Sequence, residues 1–312
     1  NYLCFSSLKF MNFNNSPLQK LNLSYYGIKN QVYVKRDDLI HPLISGNKWR
    51  KLKYNLKYFN SISKKGIISI GGAYSSHILA LSYICKLSSI KCILLVRGEK
   101  TNPLNDILKK CHSYGAIIEY INRKDYKNQK WVKNFCKENY NDFFFIPEGG
   151  SNYYGIKGCQ KIVNEIQNDF DYIFCEVGTG ATFSGIVSSL NKSQSCFGVV
   201  VLKGANAIGE NISKKFESEL KKPFSKNWIL NHGYHFGGYA KYSEELILFM
   251  QEFYKITGLM TDPIYSGKMF FGLVDQLKNN QKLENKKIIA LHSGGLSGIE
   301  GFEKRYKIKI FN

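Results

Sequence analysis

Short apolar runs alternate with longer amphipathic ones along almost the whole chain. QVYVKR (31–36), GIISIGG (66–72), KCILLVRG (91–98), AIIEYIN (116–122) and DFFFIPEGG (142–150) are short and nearly continuous in apolar residues, which predicts strands. Between them, GNKWRKLKYNLKYF, SSHILALSYICKL, NDILKKCHSYG and NQKWVKNFCKENY place apolar residues three and four apart, which predicts helices. The second half repeats the rhythm. Strands are predicted at 171–178, 196–204 and 286–295, and helices at 153–168, 182–191, 206–220, 242–257 and 265–279. Strict alternation of strand and helix implies an α/β fold with parallel sheets covered by helices on both faces. There is no sequence repeat, low-complexity tract or Pro/Gly linker, so the pattern fits two lobes that share chain crossings.

Composition narrows the class. With 312 residues and 44% hydrophobic content the chain can bury a sizeable core, which excludes wholesale disorder. Lys and Arg number 44 against 24 Asp and Glu, a net charge of +20. Such a balance raises nucleic acid or an anionic membrane as partners. The charge is nearly all lysine and is spread along the chain, however, whereas nucleic-acid readers favour arginine forks and aromatic platforms. It reads as a solvated surface, with neither nucleic acid nor membrane expected. No apolar run approaches the roughly 20 residues that span a bilayer. NYLCFSSLKFMNF lacks a charged n-region and a cleavage pattern and is not read as a signal peptide. The eight cysteines form no CxxC pair, and several lie in apolar runs such as SYICKL and YIFCEV. That usage suits buried free thiols in a reducing cytoplasm. His232 and His235 form one HxxH without further ligands nearby, too few for a zinc site, and no metal is expected.

Parallel α/β sheets bind ligands at the carboxyl ends of their strands. Four strand-to-helix junctions here are rich in Gly, Ser and Thr. GGAYSSHILALS (71–82) puts Ser75 and Ser76 at a helix start, where free N–H groups and hydroxyls can cradle a carboxylate or phosphate, or where serine can simply cap the helix. EVGTGATFSG (176–185) looks like a phosphate loop. It is neither a Walker loop nor a dinucleotide fingerprint, because no Gly-Lys-Ser/Thr follows and Phe183 stands where the third glycine belongs. Backbone amides with Thr179 and Thr182 suit a single phosphate monoester held without metal. IPEGGSNYYGIKGC (146–159) sets a rigid turn before a helix. TDPIYSGKMFFGL (261–273) presents the hydroxyls of Tyr265 and Ser266 at another helix start, and LHSGGLSG (291–298) ends the last strand.

SGNKWRKL (45–52) opens a helix with Lys48, Arg50 and Lys51, where positive charge is disfavoured. A lysine is a nucleophile only when neutral, and a helix N-terminus or a neighbouring cation lowers its pKa. Lys48 is therefore a credible Schiff-base former. A reactive lysine, a metal-free phosphate loop and several carboxylate-ready turns together suggest pyridoxal phosphate.

These stretches resemble the D-cysteine desulfhydrase and 1-aminocyclopropane-1-carboxylate (ACC) deaminase family of pyridoxal-phosphate enzymes, fold type II, the tryptophan synthase β-like group. VKRDDLIHPLISGNKWRKL, GGAYSSH, IPEGGSNYYGIKG, EVGTGATFSG, DPIYSGKMFFGL and LHSGGLSG match the family's motifs in order over roughly residues 15 to 300. The resemblance implies a larger cofactor-binding lobe from 1–50 and 160–312, a smaller α/β lobe from 51–159, and a homodimer. It implies that Lys48 carries the cofactor and that Thr179, Gly180, Ala181 and Thr182 hold its phosphate. Ser75 would lie near the substrate carboxylate and reacting carbon, Tyr265 would be the active-site tyrosine, and Ser266 would face the pyridine nitrogen.

Three departures stand out. Ser76 replaces the family's Asn, which faces the cofactor's ring hydroxyl. Tyr74 replaces Gln. Ala181 replaces the middle glycine of the phosphate loop, which requires a negative φ there. Ser266 carries the choice of reaction. ACC deaminases are expected to have Glu at that position to keep the pyridine nitrogen protonated, whereas a neutral hydroxyl fits an unprotonated ring and β-elimination. The expected activity is D-cysteine desulfhydrase-type elimination to pyruvate, ammonia and sulfide. ACC deamination, or another fold type II deaminase or racemase activity, is the alternative.

Overall fold

The computed structural model describes residues 14–44, 46–100 and 103–311. The segment NYLCFSSLKFMNF, with Cys4, lies outside the described residues. In chain order the first elements are β1 (Leu18–Leu21), β2 (Val32–Lys35), α1 (Asn47–Phe59), β3 (Gly66–Gly72), α2 (Ser76–Leu87), β4 (Lys91–Arg97), α3 (Asp106–Ser113) and β5 (Ile117–Ile121). Then come α4 (Arg123–Lys127), α5 (Gln129–Asn139), β6 (Phe143–Ile146), α6 (Tyr153–Asn164), β7 (Tyr172–Val177), α7 (Ala181–Val187) and β8 (Ser195–Val200). The chain continues through α8 (Ile208–Leu220), β9 (Trp228–Asn231), α9 (Glu244–Thr257), α10 (Ser266–Asn279), β10 (Ile288–Leu291) and α11 (Ile299–Tyr306).

The strands form two sheets. One has the order β1-β2-β10-β7-β8-β9, the other β5-β4-β3-β6. The smaller sheet is parallel throughout, and so is the larger one except that β1 runs antiparallel to β2. The expectation of wholly parallel sheets is corrected at that edge. LQKL is a four-residue edge strand with one buried position, too short and too polar to announce itself. β9 escapes the periodicity for the same reason. Strand β6 is shorter than the pattern DFFFIPEGG suggests. It stops at Ile146 because Pro147 has no N–H to donate to a ladder.

Helices cover both faces of each sheet, as continuous apolar strands require. In the smaller sheet Ile67, Leu94 and Val96 pack against Ile78 and Leu79 of α2, while Ile68, Ile93 and Leu95 meet Val132 and Cys136 of α5. In the larger sheet Ile173, Cys175 and Val177 pack toward α6, α7 and α8. Phe174 and Phe197 face Met269 and Phe270 of α10 instead. The seven described cysteines are buried and free, with the Cys175 and Cys196 sulfurs 3.8 Å apart.

Chain crossings bring the two sheets together around α1 and α6. A Cβ on Gly158 of α6 would stand 1.8 Å from the Arg50 carbonyl oxygen, so only glycine allows this approach. Arg50 itself is buried. Its guanidinium grips Asp37 through two bonds of 2.7 Å and Glu165 through bonds of 2.7 and 2.8 Å. Lys35 adds a 3.1 Å contact to Glu165. Three segments far apart in sequence are thereby clamped beneath the start of α1. Among the described residues no helix is long and apolar enough to cross a membrane, and no group of three or more His, Cys, Asp or Glu could hold a metal.

Candidate active site

The Gly-rich junctions read from the sequence follow the carboxyl ends of β3, β6, β7 and β10 or precede α10, and the fold gathers them around the first turn of α1. Gly46 makes that turn possible. Its φ is +61°, and a Cβ there would lie 1.6 Å from the Ser293 carbonyl oxygen. The same carbonyl accepts the Asn47 N–H at 3.1 Å, so the loop after β10 caps α1. Lys48 follows. Its Nζ donates to Asn47 Oδ1 at 2.6 Å and sits 5.9 Å from the Tyr265 ring centroid. Dehydration among these neighbours pushes the Lys48 amine down to about 8; Lys51 adds to the shift, and Glu176 and Asp262 oppose it. The sequence argument named the helix start and neighbouring cations as the cause. Burial is the larger one.

Lys51 and Arg50 have opposite fates. Arg50 is neutralised by its two carboxylates. Lys51 is buried yet makes no ion pair among the described residues, and its pKa is lowered by burial. Its side chain lies against Gly150. Gly149, next to it, faces Thr179, and Ser151 Oγ donates to the Thr179 carbonyl at 3.3 Å. The loop after β6 is thus stacked on the loop after β7. In the latter, Gly180 takes the left-handed position with φ +88°, and a Cβ there would meet Ile212 at 2.5 Å. Ala181 opens α7 without a positive φ, so its replacement of glycine is tolerated. Thr182 is buried in the first turn and Thr179 is exposed at the loop. The first amides of α7 have no intrahelical acceptor.

On the smaller sheet's side, Ser75 caps α2 by accepting the His77 N–H at 3.2 Å, and Ser76 is the first helical residue. His77, not singled out by the sequence reading, is buried. The one Ser69 proton goes to the Ile146 carbonyl at 2.7 Å, so the 2.9 Å contact to His77 must be donated by Nε2–H. Nδ1 is then a lone pair without a protein partner. Burial, with Lys48 and Lys51 nearby, pushes His77 down to about 3 and keeps it neutral.

The remaining wall carries the acids. Asp262 is buried and accepts the N–H groups of Ile264, Tyr265 and Ser266 at 2.9, 2.8 and 2.9 Å. Ser266 Oγ donates to the same carboxylate at 2.7 Å and accepts the Asp262 N–H at 2.8 Å. Tyr265 packs over Gly178, 3.2 Å from where a Cβ would sit, and burial holds its phenol well above the usual range, so it stays a donor. Glu176, the first residue of the EVGTG loop, accepts a hydrogen bond from Ser293 through Oε1. Its Oε2 is buried without a partner, and burial pushes the carboxyl up to about 7. Lys268, two residues after Ser266, lies away from this chemistry: its Nζ ties down the carbonyls of His235 and Gly238 at 2.8 and 2.7 Å.

This site has a lysine whose pKa is lowered to about 8, a second buried lysine with no ion pair among the described residues, and three buried polar atoms without partners there (Glu176 Oε2, His77 Nδ1 and Thr261 Oγ1). Those residues fit an aldehyde cofactor with one phosphate and a polar ring. An α/β fold with such a site at its strand ends defines a pyridoxal-phosphate enzyme of fold type II. Comparison with known proteins agrees. The family model described as "Pyridoxal-phosphate dependent enzyme" matches residues 10–294, and the chain belongs to that family, with pyridoxal phosphate as its cofactor. It is 31% identical to a Pyrococcus furiosus protein named "Putative 1-aminocyclopropane-1-carboxylate deaminase", covering 91% of this chain and 90% of that one. It is 24% identical to the D-cysteine desulfhydrase of Yersinia pestis, covering 90% and 92%. A crystal structure described as an ACC deaminase homologue superposes with a TM-score of 0.82 at 27% identity, over 98% of this chain and 99% of that one.

Proposed function

We propose that the protein is an amino-acid lyase of the D-cysteine desulfhydrase type, converting a small β-substituted amino acid to pyruvate, ammonia and the released β-group. The observation that carries this reading is the Lys48 amine, lowered to about 8 and held between Asn47, Tyr265 and Lys51. Bound pyridoxal phosphate supplies an electron sink for charge developing at Cα. Lys48 would hold the cofactor and, as a free amine, would take the Cα proton, with Ser75 at the start of α2 assisting. The β-substituent leaves with its electron pair, and the enamine product hydrolyses in water. Tyr265, kept protonated, orients substrate or gives a proton. Lys51 and the amides and hydroxyls of Thr179 to Thr182 would hold the phosphate, and Ser76 would serve the cofactor ring's hydroxyl.

ACC deamination is the second reading, and one finding favours it beyond the relatives' names. The Ser266 proton is committed to Asp262, so Ser266 cannot donate to an unprotonated pyridine as the sequence argument supposed. Elimination stays first because it needs only a base at Cα and an electron sink. Opening a three-carbon ring needs in addition a group that attacks or protonates a ring methylene.

The test is a product assay. D-cysteine should give sulfide and pyruvate in equal amounts, ACC should give little ammonia, and Lys48→Ala should cut the rate by on the order of 10²–10⁴. Ammonia from ACC without sulfide from D-cysteine would replace the first reading with the second. Full pyruvate output from Lys48→Ala would end both.

A further inference from the structure

The notable group that the proposed reaction leaves unused is Glu176. It stands at the carboxyl end of β7, on the face that Phe174 shares with α10, two residues before Gly178 and its contact with Tyr265. Its bonded partner Ser293 belongs to the turn whose carbonyl caps the helix of Lys48. Glu176 therefore lies between the turn that caps the lysine's helix and the α10 wall. It is 5% exposed, and one carboxyl oxygen has no hydrogen-bond partner among the described residues. A buried carboxyl is not left half-satisfied without cost, and a ligand that brings a donor removes that cost.

A pyridine ring attached to Lys48 through its 4-position presents its nitrogen at the opposite end. Three side chains of the larger sheet's rim can meet it: Ser266, Ser293 and Glu176. Hydrogen-bond arithmetic separates them. Ser266 gives its one proton to Asp262 Oδ2, and Ser293 gives its own to Glu176 Oε1. Toward a ligand both hydroxyls can only accept. Asp262 has four donors already and nothing to offer. An unprotonated ring nitrogen would find no donor here except Glu176 in its acid form. A protonated one would find acceptors on every side, with Glu176 Oε2 the one that is buried and free.

We propose that Glu176 is the partner of the cofactor's ring nitrogen and that one proton is held between the two. The proton rests on the ring nitrogen, which donates to Glu176 Oε2, and Ser293 fixes the carboxyl's other oxygen. The charged neighbours act on this pair in a defined sense: Lys48 and Lys51, from α1, favour the carboxylate, while Asp262, from the turn before α10, favours the acid. Ser266, at the start of α10, then has no need to be a carboxylate, because the acid that serves the ring comes from strand β7. The inference rests on the family's cofactor and not on which amino acid is consumed.

The test is the nitrogen itself. Holoenzyme reconstituted with ¹⁵N-labelled pyridoxal phosphate should give the upfield ring-nitrogen resonance of a protonated pyridine at neutral pH. Glu176→Gln should move it downfield to the unprotonated position, and Ser293→Ala should leave it upfield. An unprotonated signal in the native holoenzyme overturns the proposal without any variant. So does an upfield signal that survives in Glu176→Gln, or one lost in Ser293→Ala and kept in Glu176→Gln, which would make the hydroxyl the partner. Should Glu176→Gln not fold, infrared spectra of the native apo-protein decide instead. A carboxylic-acid band titrating near neutrality and altered by adding cofactor is expected, and its absence counts against Glu176. Neither readout involves pyruvate or sulfide, so failure on D-cysteine and failure here are separate results.

Discussion

At the scale of single residues, the chemistry turns on groups whose charge is unwelcome where they stand. Lys48 loses water, gains a cationic neighbour in Lys51, and keeps an amine that titrates near 8 instead of 10.5. The sign is that of a base whose neutral form is favoured: below pH 8 the amine is protonated and inert, above it free to attack. Capture of added pyridoxal phosphate by the apo-protein, followed by absorbance, should therefore rise about tenfold between pH 7 and 9 and then level off. A rate still climbing steeply at pH 10 would mean that Lys48 behaves as an ordinary lysine. Ser266 teaches the converse. Its identity suggested a role toward the pyridine, but what a hydroxyl can do depends on where its one proton already points.

At the scale of elements, the site depends on how α1 is anchored. Its first turn is capped from outside by the Ser293 carbonyl, and its second residue pair is tied down through Arg50. Arg50→Ala should cost on the order of 3–5 kcal/mol, because it leaves Asp37, fully buried, without its cation. Little of that comes from the Glu165 arm, whose carboxylate is 44% exposed and well screened. Urea denaturation of the two proteins measures the difference. A loss below about 1 kcal/mol would show that the pair is solvated in solution and that α1 is held by packing alone, through contacts such as Gly158 against the Arg50 carbonyl.

At the scale of the whole molecule, the charge of +20 and the α/β architecture point different ways. The chain belongs to a family of pyridoxal-phosphate enzymes, and we propose that its positive charge is a property of the solvated surface and not a nucleic-acid binding code. We propose, from the family resemblance and the free buried thiols among the described residues, a homodimer that works in the cytoplasm. Sedimentation of the purified protein at moderate salt should give twice the monomer mass, with no absorbance from co-purifying nucleic acid. A monomer that stays active would remove the dimer from the description of the site.

Much of this protein was legible before folding. Strands β3, β4 and β7 appear within a residue or two of their ends, because strands buried on both faces must be continuously apolar and cannot hide in a sequence. The glycine junctions and the family were legible for a related reason: tight turns at strand ends need particular small residues at fixed spacings. Edge strands β1 and β9 were not, since half-exposed short strands carry little pattern. Partnership was not legible either. SGNKWRKL offered three cations without saying that Arg50 would be neutralised by Asp37 and Glu165, or that Lys51 would stay buried against Gly150 with no ion pair among the described residues. Glu176 looked like the flank of a glycine loop until Ser293, over a hundred residues on, met one oxygen and left the other bare. Local sequence determines which backbone conformations and buried faces are possible. Which acid meets which base, and which is left waiting for a ligand, is decided only when distant segments converge and exclude water.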